Sequence, residues 1–201
     1  MKAHHNIVIV GGGNAGISTA AQLLRQDSTL DIAIIDGTKK HYYQPAWTLV
    51  GGGEFNIQDT ERDEATVIPP GAKWIQQMVS TFLPEENTIT LADGSTLGYN
   101  YLIVAPGIQL NWSDVKGMKE NLGKNGVCSN YSFESAPYTW ECIQNTNGGK
   151  AIFTNPNTPI KCGGAPQKIM YMADDIFKGK SSVGTNTEIL FCSADTKMFT
   201  V

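Results

Sequence analysis

Three glycines follow the first apolar run of the sequence, at positions 11, 13 and 16. In this spacing Gly11 permits a tight turn, Gly13 lets the backbone approach a pyrophosphate, and Gly16 lets a helix pack on a strand. The free N–H groups and the positive dipole end of that helix would face the phosphates. Asp36 ends a second apolar run, where its carboxylate could bind ribose hydroxyls. The pattern therefore predicts a dinucleotide site.

A cysteine in the second half of the chain has a setting that favours its thiolate form. Cys162 is followed by two glycines, an alanine and Pro166. Proline suits the first turn of a helix because it lacks an N–H, so Cys162 should lie just before a helix begins. The helix dipole and the nearby Lys161 and Lys168 favour the thiolate, which is the form that attacks sulfur. Two roles of Cys162 stay open, a reactive thiol and a space-filling turn residue. The other cysteines fit structural roles: Cys128 in a connector, Cys142 on a helix face and Cys192 in a core strand.

Composition and charge argue against several classes of protein. The net charge of −4 gives no electrostatic case for a nucleic-acid partner. The four cysteines lack metal-ligand spacing and have no histidine beside them, so we expect no metal site. The chain has no run of about 18 apolar residues, so we expect no membrane span. It enters a strand almost at once, so we also expect no cleaved signal peptide.

The elements around the glycines form a predicted βαβ unit. Two short apolar runs, Ile7–Val10 and Ile32–Ile35, are typical of strands buried on both faces of a parallel sheet. Apolar residues recur between them at helical spacing: Ile17, Ala20, Ala21 and Leu24. From Lys39 to Pro70 no periodicity persists, which predicts a long loop, and its aromatic residues argue against disorder. An antiparallel meander is then predicted, with strands over Trp74–Phe82, Thr88–Leu91 and Tyr101–Val104.

The second half of the chain begins another βα unit. The segment Tyr101–Gly107, a strand followed by a Pro-Gly turn, favours FAD over NAD, since two-dinucleotide flavoproteins pass such a strand close to FAD. A polar connector follows, so we predict an FAD-binding domain over residues 1–112 and the beginning of a second Rossmann-like domain over 113–201. The predicted elements are a helix from Ser135 to Asn145, strands at Ala151–Thr154 and Ile189–Phe191, and a helix carrying Ile169, Met172, Ala173 and Ile176.

The turn after Thr154 differs from a second dinucleotide fingerprint. Nicotinamide-dependent relatives carry another G-x-G-x-x-G there, whereas this chain has prolines and Cys162, so we expect no nicotinamide cofactor. The predicted fold is α/β: a Rossmann-like domain with a parallel sheet and an antiparallel meander, then the start of a second such domain. Because Glu188–Asp195 has the pattern of a buried strand close to the last residue, we expect the sequence to be incomplete.

Three segments resemble sulfide:quinone oxidoreductases, in particular the branch that includes the mitochondrial enzymes. They are residues 41–51, 126–132 and 155–171, and the last is the most specific. The resemblance places FAD contacts at Gly11, Gly12, Gly13, Asn14, Ala15, Asp36, Gln44, Val79 and Gly107, and Gly16 joins them from the fingerprint. Relatives often have the longer glutamate in place of Asp36, which shifts the position of the ribose contact but keeps a carboxylate as the group that makes it.

The resemblance implies a membrane-associated flavoenzyme that oxidises sulfide to a cysteine-bound persulfide and passes electrons to quinone. Cys162 matches the first of two family cysteines. A small sulfur acceptor and peripheral attachment to a bacterial or mitochondrial inner membrane are also implied. The second cysteine, a later Gly-Asp segment and the membrane-binding C-terminal region are missing here, so we expect the isolated chain to be inactive. Two alternatives stay open: a type II NADH dehydrogenase-like or other disulfide-type reductase, and a non-catalytic flavin-binding or sulfur-sensing protein.

Overall fold

A computed structural model describes residues 3–158, 160–179, 184–194 and 196 of the 201-residue chain. The chain divides by its internal contacts into two compact units. Unit 1 consists of Met1–Tyr43 and Glu61–Ile108, and unit 2 of Gln44–Thr60 and Gln109–Val201. The segment Gln44–Thr60 therefore groups with the second unit, although it precedes the domain boundary expected after residue 112.

The described residues form short strands and helices throughout the chain. The strands are β1 (Ala3–Val10), β2 (Ile32–Ile35), β3 (Lys40–Tyr42), β4 (Glu61–Asp63), β5 (Ala72–Ile75), β6 (Val79–Leu83), β7 (Thr88–Leu91), β8 (Thr96–Val104), β9 (Gly149–Asn155) and β10 (Thr187–Ser193). The helices are α1 (Asn14–Gln26), α2 (Trp47–Gly51), α3 (Glu64–Val67), α4 (Met118–Asn121), α5 (Ala136–Gln144) and α6 (Ala165–Lys178). Short 3₁₀ turns cover Gln44–Ala46, Ile57–Thr60, Pro84–Glu86 and Trp112–Asp114. None of the helices in the described part of the chain has the length and apolar character needed to cross a membrane.

Unit 1 is built on a six-stranded sheet with the order β5-β2-β1-β8-β7-β6. The first four of these strands are parallel, whereas β6, β7 and β8 form an antiparallel meander. This arrangement confirms the predicted α/β fold. The single predicted strand Trp74–Phe82 is wrong, because β5 pairs with β2 and β6 pairs with β7. Both strands are rich in apolar and aromatic residues, so the composition does not show where β5 ends and β6 begins.

The core of unit 1 lies on both faces of β1 and β2. Alternate residues of a strand point to opposite faces, and here both faces are covered. On one face Ile7 and Ile9 pack with Ala20 and Leu24 of α1. On the other face lie residues of β1, β2, β7 and β8: Val8, Val10, Ala33, Ile35, Ile89, Leu91, Leu97 and Tyr99. The uninterrupted apolar runs of the sequence therefore predicted the central strands correctly.

The predicted loop between Lys39 and Pro70 contains several short elements. Strands β3 and β4 pair antiparallel, with His41 opposite Arg62. Lys40 is 2.9 Å from carboxylate oxygens of both Glu61 and Asp63. Each of these elements has only one helical turn or three paired strand residues. They are therefore too short to show a periodic pattern of apolar residues in the sequence. Their pairing fixes the start of α3, whose first residue is Glu64.

Unit 2 contains a two-stranded parallel sheet, β9 and β10, with α5 and α6 on one face. Its core is formed by Ile143, Ile169, Ala173 and Phe177, with Ala151, Phe153 and Ile189 packed against them. Cys192 is exposed, so its predicted place in a core strand is wrong. It pairs with Thr154 on the face opposite this core, where Ile152 is 60% exposed. Asp195, the end of that predicted strand, lies outside the described residues.

Candidate functional site

The glycine turn between β1 and α1 has a shape that side chains would fill. A Cβ atom on Gly11, whose φ is +107°, would lie 2.1 Å from the carbonyl oxygen of Ala105, and one on Gly16 would lie 1.9 Å from that of Gly11. Neither contact is sterically possible, so both positions require glycine. A Cβ on Gly13 would meet no described atom within 4 Å. The turn is therefore tight towards the protein and open on its outer side.

The open side of this turn is the start of α1. Gly13, Asn14 and Ala15 are exposed there, and no side chain in the described residues caps the helix. The N–H groups of the first turn thus remain available to an anion, and the helix dipole favours one. Space for a backbone-bound pyrophosphate at this place is what a dinucleotide requires, so the residues present fit such a cofactor.

Asp36 lies directly beside the glycine turn, at the carboxyl end of β2. One carboxylate oxygen, Oδ2, accepts a hydrogen bond of 2.7 Å from the Gly12 N–H. The other, Oδ1, accepts hydrogen bonds from the Thr38 N–H at 2.8 Å and the Thr38 hydroxyl at 2.6 Å. The acid and the turn are thereby held in one arrangement. Half-buried Asp36 keeps the position expected of a ribose-binding acid.

Two further predicted FAD contacts, Val79 and Gly107, lie near the same carboxyl edge of the sheet. Gly107 has a φ of +76° and follows β8, whose Val104 pairs with Val10 at the end of β1. Val79 begins β6 next to Met78, and a Cβ on Gly37 would lie 2.8 Å from the Met78 sulfur. Their contacts with FAD remain predictions. Gln44 is exposed in a 3₁₀ turn that belongs to unit 2, and its contact with FAD is likewise a prediction.

Behind the glycine turn the structure reveals two titratable residues that the sequence analysis did not select. The side chain of Glu64 is 1% exposed, and the Nδ1 atom of His41 lies 3.5 Å from its Oε2 atom. Burial, and then the negative charge of Asp36, raise the pKa of Glu64 to about 7. Sequence reasoning had no signal for Glu64, because its place depends on the pairing of two three-residue strands.

In unit 2, Cys162 lies in the turn between β9 and α6, three residues before the helix begins. Its backbone has a φ of +62°, in the left-handed region that favours glycine. Its side chain is exposed, and the Lys168 ammonium group donates a hydrogen bond to Sγ at 3.4 Å. The carbonyl oxygen of Cys162 accepts a hydrogen bond of 2.9 Å from the Ala165 N–H. The turn and the first turn of α6 therefore hold the thiol beside a cation.

The surroundings of Cys162 favour its thiolate. Partial burial raises the pKa of the thiol, but the hydrogen bond and charge of Lys168, with smaller contributions from the Gly164 N–H and Lys161, outweigh this, so the pKa lies below its usual value. The opposite holds for Cys142, where burial and the neighbouring Cys128 raise the pKa to about 11. The two thiols are thus differentiated in the direction that the sequence analysis predicted.

The segment around Tyr131 supports the loop that carries Cys162. The Tyr131 hydroxyl donates a hydrogen bond of 3.1 Å to the carbonyl oxygen of Lys161. Burial and the charge of Cys162 both raise the pKa of Tyr131, so the hydroxyl remains a neutral donor. Burial also lowers the pKa of Lys161. Two of the segments that resemble sulfide:quinone oxidoreductases, 126–132 and 155–171, therefore meet at the backbone just before the cysteine.

The β9–α6 turn differs from the β1–α1 turn in how its glycines are packed. A Cβ on Gly163 would meet nothing within 4 Å, and one on Gly164 would meet only the Lys168 side chain at 3.7 Å. Neither glycine is required by close approach of a strand and a helix. The geometry that makes the first turn a pyrophosphate cradle is thus not repeated in the described residues of unit 2.

Comparisons with known proteins agree with this geometry. Residues 5–136 match the sequence model of the family described as pyridine nucleotide-disulphide oxidoreductase. The mitochondrial sulfide:quinone oxidoreductase of Dictyostelium discoideum is 50% identical over 203 residues, covering 100% of this chain and 45% of the relative. The Mus musculus enzyme of the same name is 40% identical, covering 96% and 43%. The crystal structure of the sulfide:quinone oxidoreductase from Aquifex aeolicus has a TM-score of 0.75 at 24% identity, covering 96% of this chain and 43% of that one.

These similarities confirm the resemblance found in the three segments. The chain spans less than half the length of the relatives named above. The family match covers most of unit 1, including the glycine turn and Asp36, and this family binds FAD. The chain, whose dinucleotide cofactor is FAD, therefore belongs to the pyridine nucleotide-disulphide oxidoreductase family.

Proposed function

We propose that the protein oxidises sulfide in an FAD-dependent reaction and passes the electrons to a quinone. The observation that carries this proposal is the 50% identity, over the whole of this chain, with a sulfide:quinone oxidoreductase. Bound FAD supplies the two-electron acceptor for such chemistry. The residues of this chain supply two further parts, a place for the cofactor and a thiol for the sulfur.

The thiol that we assign to the sulfur is Cys162. In the proposed step a hydrosulfide ion (HS⁻) and the cysteine thiolate form an S–S bond, leaving Cys162–S–S⁻, one proton and two electrons. Bound FAD would accept the two electrons for transfer to the quinone, and a small acceptor molecule would then remove the outer sulfur. The Lys168 ammonium at 3.4 Å favours both the attacking thiolate and the negative persulfide. The exposed position of Cys162 gives substrate and acceptor access.

The FAD contacts that we propose follow from the turn, the acid and the family resemblance. The N–H groups at the start of α1 bind the pyrophosphate, and Asp36 binds the adenosine ribose. The full set of proposed contacts is Gly11, Gly12, Gly13, Asn14, Ala15, Gly16, Asp36, Gln44, Val79 and Gly107. The tight packing of Gly11 and Gly16 supports this set for the turn itself.

We also propose that the protein works at a membrane, because its second substrate is a quinone. Two relatives are named as mitochondrial enzymes, which favours the mitochondrial inner membrane over a bacterial inner membrane. Following the resemblance to sulfide:quinone oxidoreductases, we propose that the attachment is peripheral and is made by the C-terminal region of the full-length protein.

The experiment is anaerobic addition of sulfide to the full-length flavoprotein, followed by a quinone. We expect sulfide to remove the visible absorbance of the oxidised flavin, and a soluble ubiquinone analogue to restore it. Thiosulfate and chloride serve as control anions and should leave the spectrum unchanged. A flavin that sulfide leaves oxidised, or one that the quinone cannot reoxidise, contradicts the proposal.

A further inference from the structure

The most unusual polar group in unit 1 is the Glu64 carboxyl. It is 1% exposed, and its Oε1 atom has no hydrogen-bond partner in the described structure. This atom lies against the glycine turn, since a Cβ on Gly12 would be only 2.3 Å from it. The same added Cβ would lie 3.2 Å from the Oδ2 atom of Asp36. A buried carboxyl thus sits directly behind the residue that donates to the proposed ribose-binding acid.

The backbone fixes this carboxyl in place. The Glu64 N–H donates a hydrogen bond of 2.9 Å to the carbonyl oxygen of Lys39, and the residue begins α3 immediately after β4. The pairing of β3 with β4 anchors both sides of that contact. Glu64 therefore does not reach the glycine turn by a flexible loop, and its position is part of the fold of unit 1.

The groups that face Glu64 come from three elements. Asp36 approaches from the end of β2, Gly12 from the turn after β1, and His41 from β3. The His41 Nδ1 atom lies 3.3 Å from the carbonyl oxygen of Gly12 and 3.5 Å from Oε2 of Glu64. A carbonyl oxygen only accepts, so the first contact requires the proton on Nδ1. A second negative charge here would lie next to that of Asp36, and burial opposes it.

We propose that Glu64 is a positioning residue of the nucleotide site, which in its neutral form holds Gly12 and Asp36 in the arrangement that binds FAD. Loss of its proton places a carboxylate behind Gly12, where it repels Asp36 and the pyrophosphate. FAD binding is therefore coupled to proton uptake by Glu64. This inference rests on the proposed FAD contacts of the glycine turn and of Asp36, and it is independent of the sulfide reaction.

The sign of the coupling follows from the charges. Bound pyrophosphate is negative, so it stabilises the neutral form of Glu64, and by linkage the neutral form binds FAD more tightly. Because the pKa of Glu64 is about 7 before FAD binds, the loss of affinity begins above neutral pH. The affinity is highest below that pH, where the wild-type carboxyl is already protonated.

The test is an FAD titration of the flavin-free full-length protein, followed by flavin fluorescence, from about pH 6 to about pH 8.5. For the wild type we expect Kd to rise by roughly fivefold or more across this range. Glu64→Gln keeps the shape of the neutral acid without a titrating proton, so its Kd should stay near the low-pH value. Glu85→Gln, an exposed residue of the same unit, is the control and should follow the wild-type profile.

His41→Asn separates the two titratable candidates. If the Glu64→Gln variant keeps the wild-type pH profile, or if only the His41→Asn variant loses it, the inference about Glu64 is overturned while the FAD site stands. If no variant and no wild-type sample binds FAD at any pH, the proposed site and the inference both fail. A flat profile for Glu64→Gln alone supports the inference.

A second measurement uses only the wild-type protein, so it does not depend on the folding of a variant. Calorimetry of FAD binding in buffers of different ionisation enthalpy, at about pH 7.5, reports the protons taken up on binding. We expect net uptake of up to about one proton per FAD. Binding without proton exchange at this pH would contradict the role of Glu64.

Discussion

At the scale of single residues, the two groups on which the proposals depend differ in how their surroundings treat charge. At Glu64 burial dominates, and the neutral carboxyl is the favoured form. At Cys162 the cation of Lys168 outweighs partial burial, and the anionic thiolate is favoured. The two settings suit different chemistry. A neutral acid beside a phosphate site does not repel the negative charge of the ligand, whereas a thiolate is the reactive form of a cysteine.

Alkylation rates test the setting of Cys162. We expect iodoacetamide to modify Cys162 faster than Cys142 at about pH 7, because the pKa of Cys162 is lowered and that of Cys142 is raised. Lys168→Met should slow the modification of Cys162 and shift its rate profile to higher pH. Mass spectrometry of each cysteine gives the rates.

Cys192 is the control for access, since it is exposed like Cys162. In the full-length protein, Cys162→Ser should abolish flavin reduction by sulfide and leave FAD bound. In the Cys192→Ser variant, sulfide should reduce the flavin at the wild-type rate. Cys162 would be a structural turn residue if it is alkylated no faster than Cys192 and if sulfide reduces the flavin of the Cys162→Ser variant at the wild-type rate.

At the scale of elements, the two strand-to-helix turns show how similar topology serves different chemistry. The β1–α1 turn is closed by contacts that exclude side chains at Gly11 and Gly16, and it is open at Gly13. The β9–α6 turn has no such closure at its glycines and carries a side chain, Cys162, in left-handed backbone. The first turn therefore presents backbone N–H groups, and the second presents a thiol.

Two alanine substitutions separate the structural from the ligand-binding role of the first turn. Gly16→Ala forces a Cβ against the carbonyl oxygen of Gly11, so we expect a loss of about 1–3 kcal/mol in the stability of the flavin-free protein. Gly13→Ala has space in the protein and a φ of −68°, so stability should change by less than about 0.5 kcal/mol. Its methyl group instead blocks the approach of the pyrophosphate.

The measurements for this pair are thermal unfolding without FAD and FAD affinity by fluorescence. Gly13→Ala should weaken FAD binding by roughly tenfold or more, equivalent to about 1.4 kcal/mol, while its unfolding curve matches the wild type. A Gly13→Ala protein with unchanged FAD affinity would show that the pyrophosphate binds elsewhere.

The sequence predicted the elements whose pattern is local and missed those set by distant partners. The runs Ile7–Val10 and Ile32–Ile35 predicted the central strands because a strand covered on both faces is apolar throughout. The place of Glu64 depends on the antiparallel pairing of β3 and β4, three residues each, for which no periodicity exists. Cys192 lies in a strand as predicted, but which face of that strand would be covered was not readable from its neighbours.

At the scale of the whole molecule, one chain combines a dinucleotide cradle in unit 1 with a cysteine turn in unit 2. This distribution supports our proposal of a single dinucleotide cofactor together with sulfur chemistry at Cys162. The packing of Gly163 and Gly164 counts against a disulfide-type reductase, which needs a second cradle. Reduction of the flavin by sulfide is what separates our proposal from a non-catalytic flavin protein.

Electron-donor selectivity tests this division. We expect NADH and NADPH, added anaerobically to the full-length flavoprotein, to leave the flavin oxidised over minutes, while sulfide reduces it. The physical reason is that Gly163 and Gly164 are not packed as a pyrophosphate-binding turn. Stopped-flow absorbance distinguishes the outcomes, and rapid reduction by NADH would favour the NADH dehydrogenase-like alternative.

The left-handed backbone at Cys162 has a consequence for how this protein would respond to selection. A residue with a Cβ is strained there by roughly 1–2 kcal/mol relative to glycine, so Cys162→Gly should raise the melting temperature, whereas Cys162→Ser should not. A laboratory screen for thermal stability alone would therefore enrich glycine at position 162 and discard the proposed sulfur carrier. Selecting such a library for sulfide oxidation as well would restore the cysteine and expose the trade-off between stability and activity.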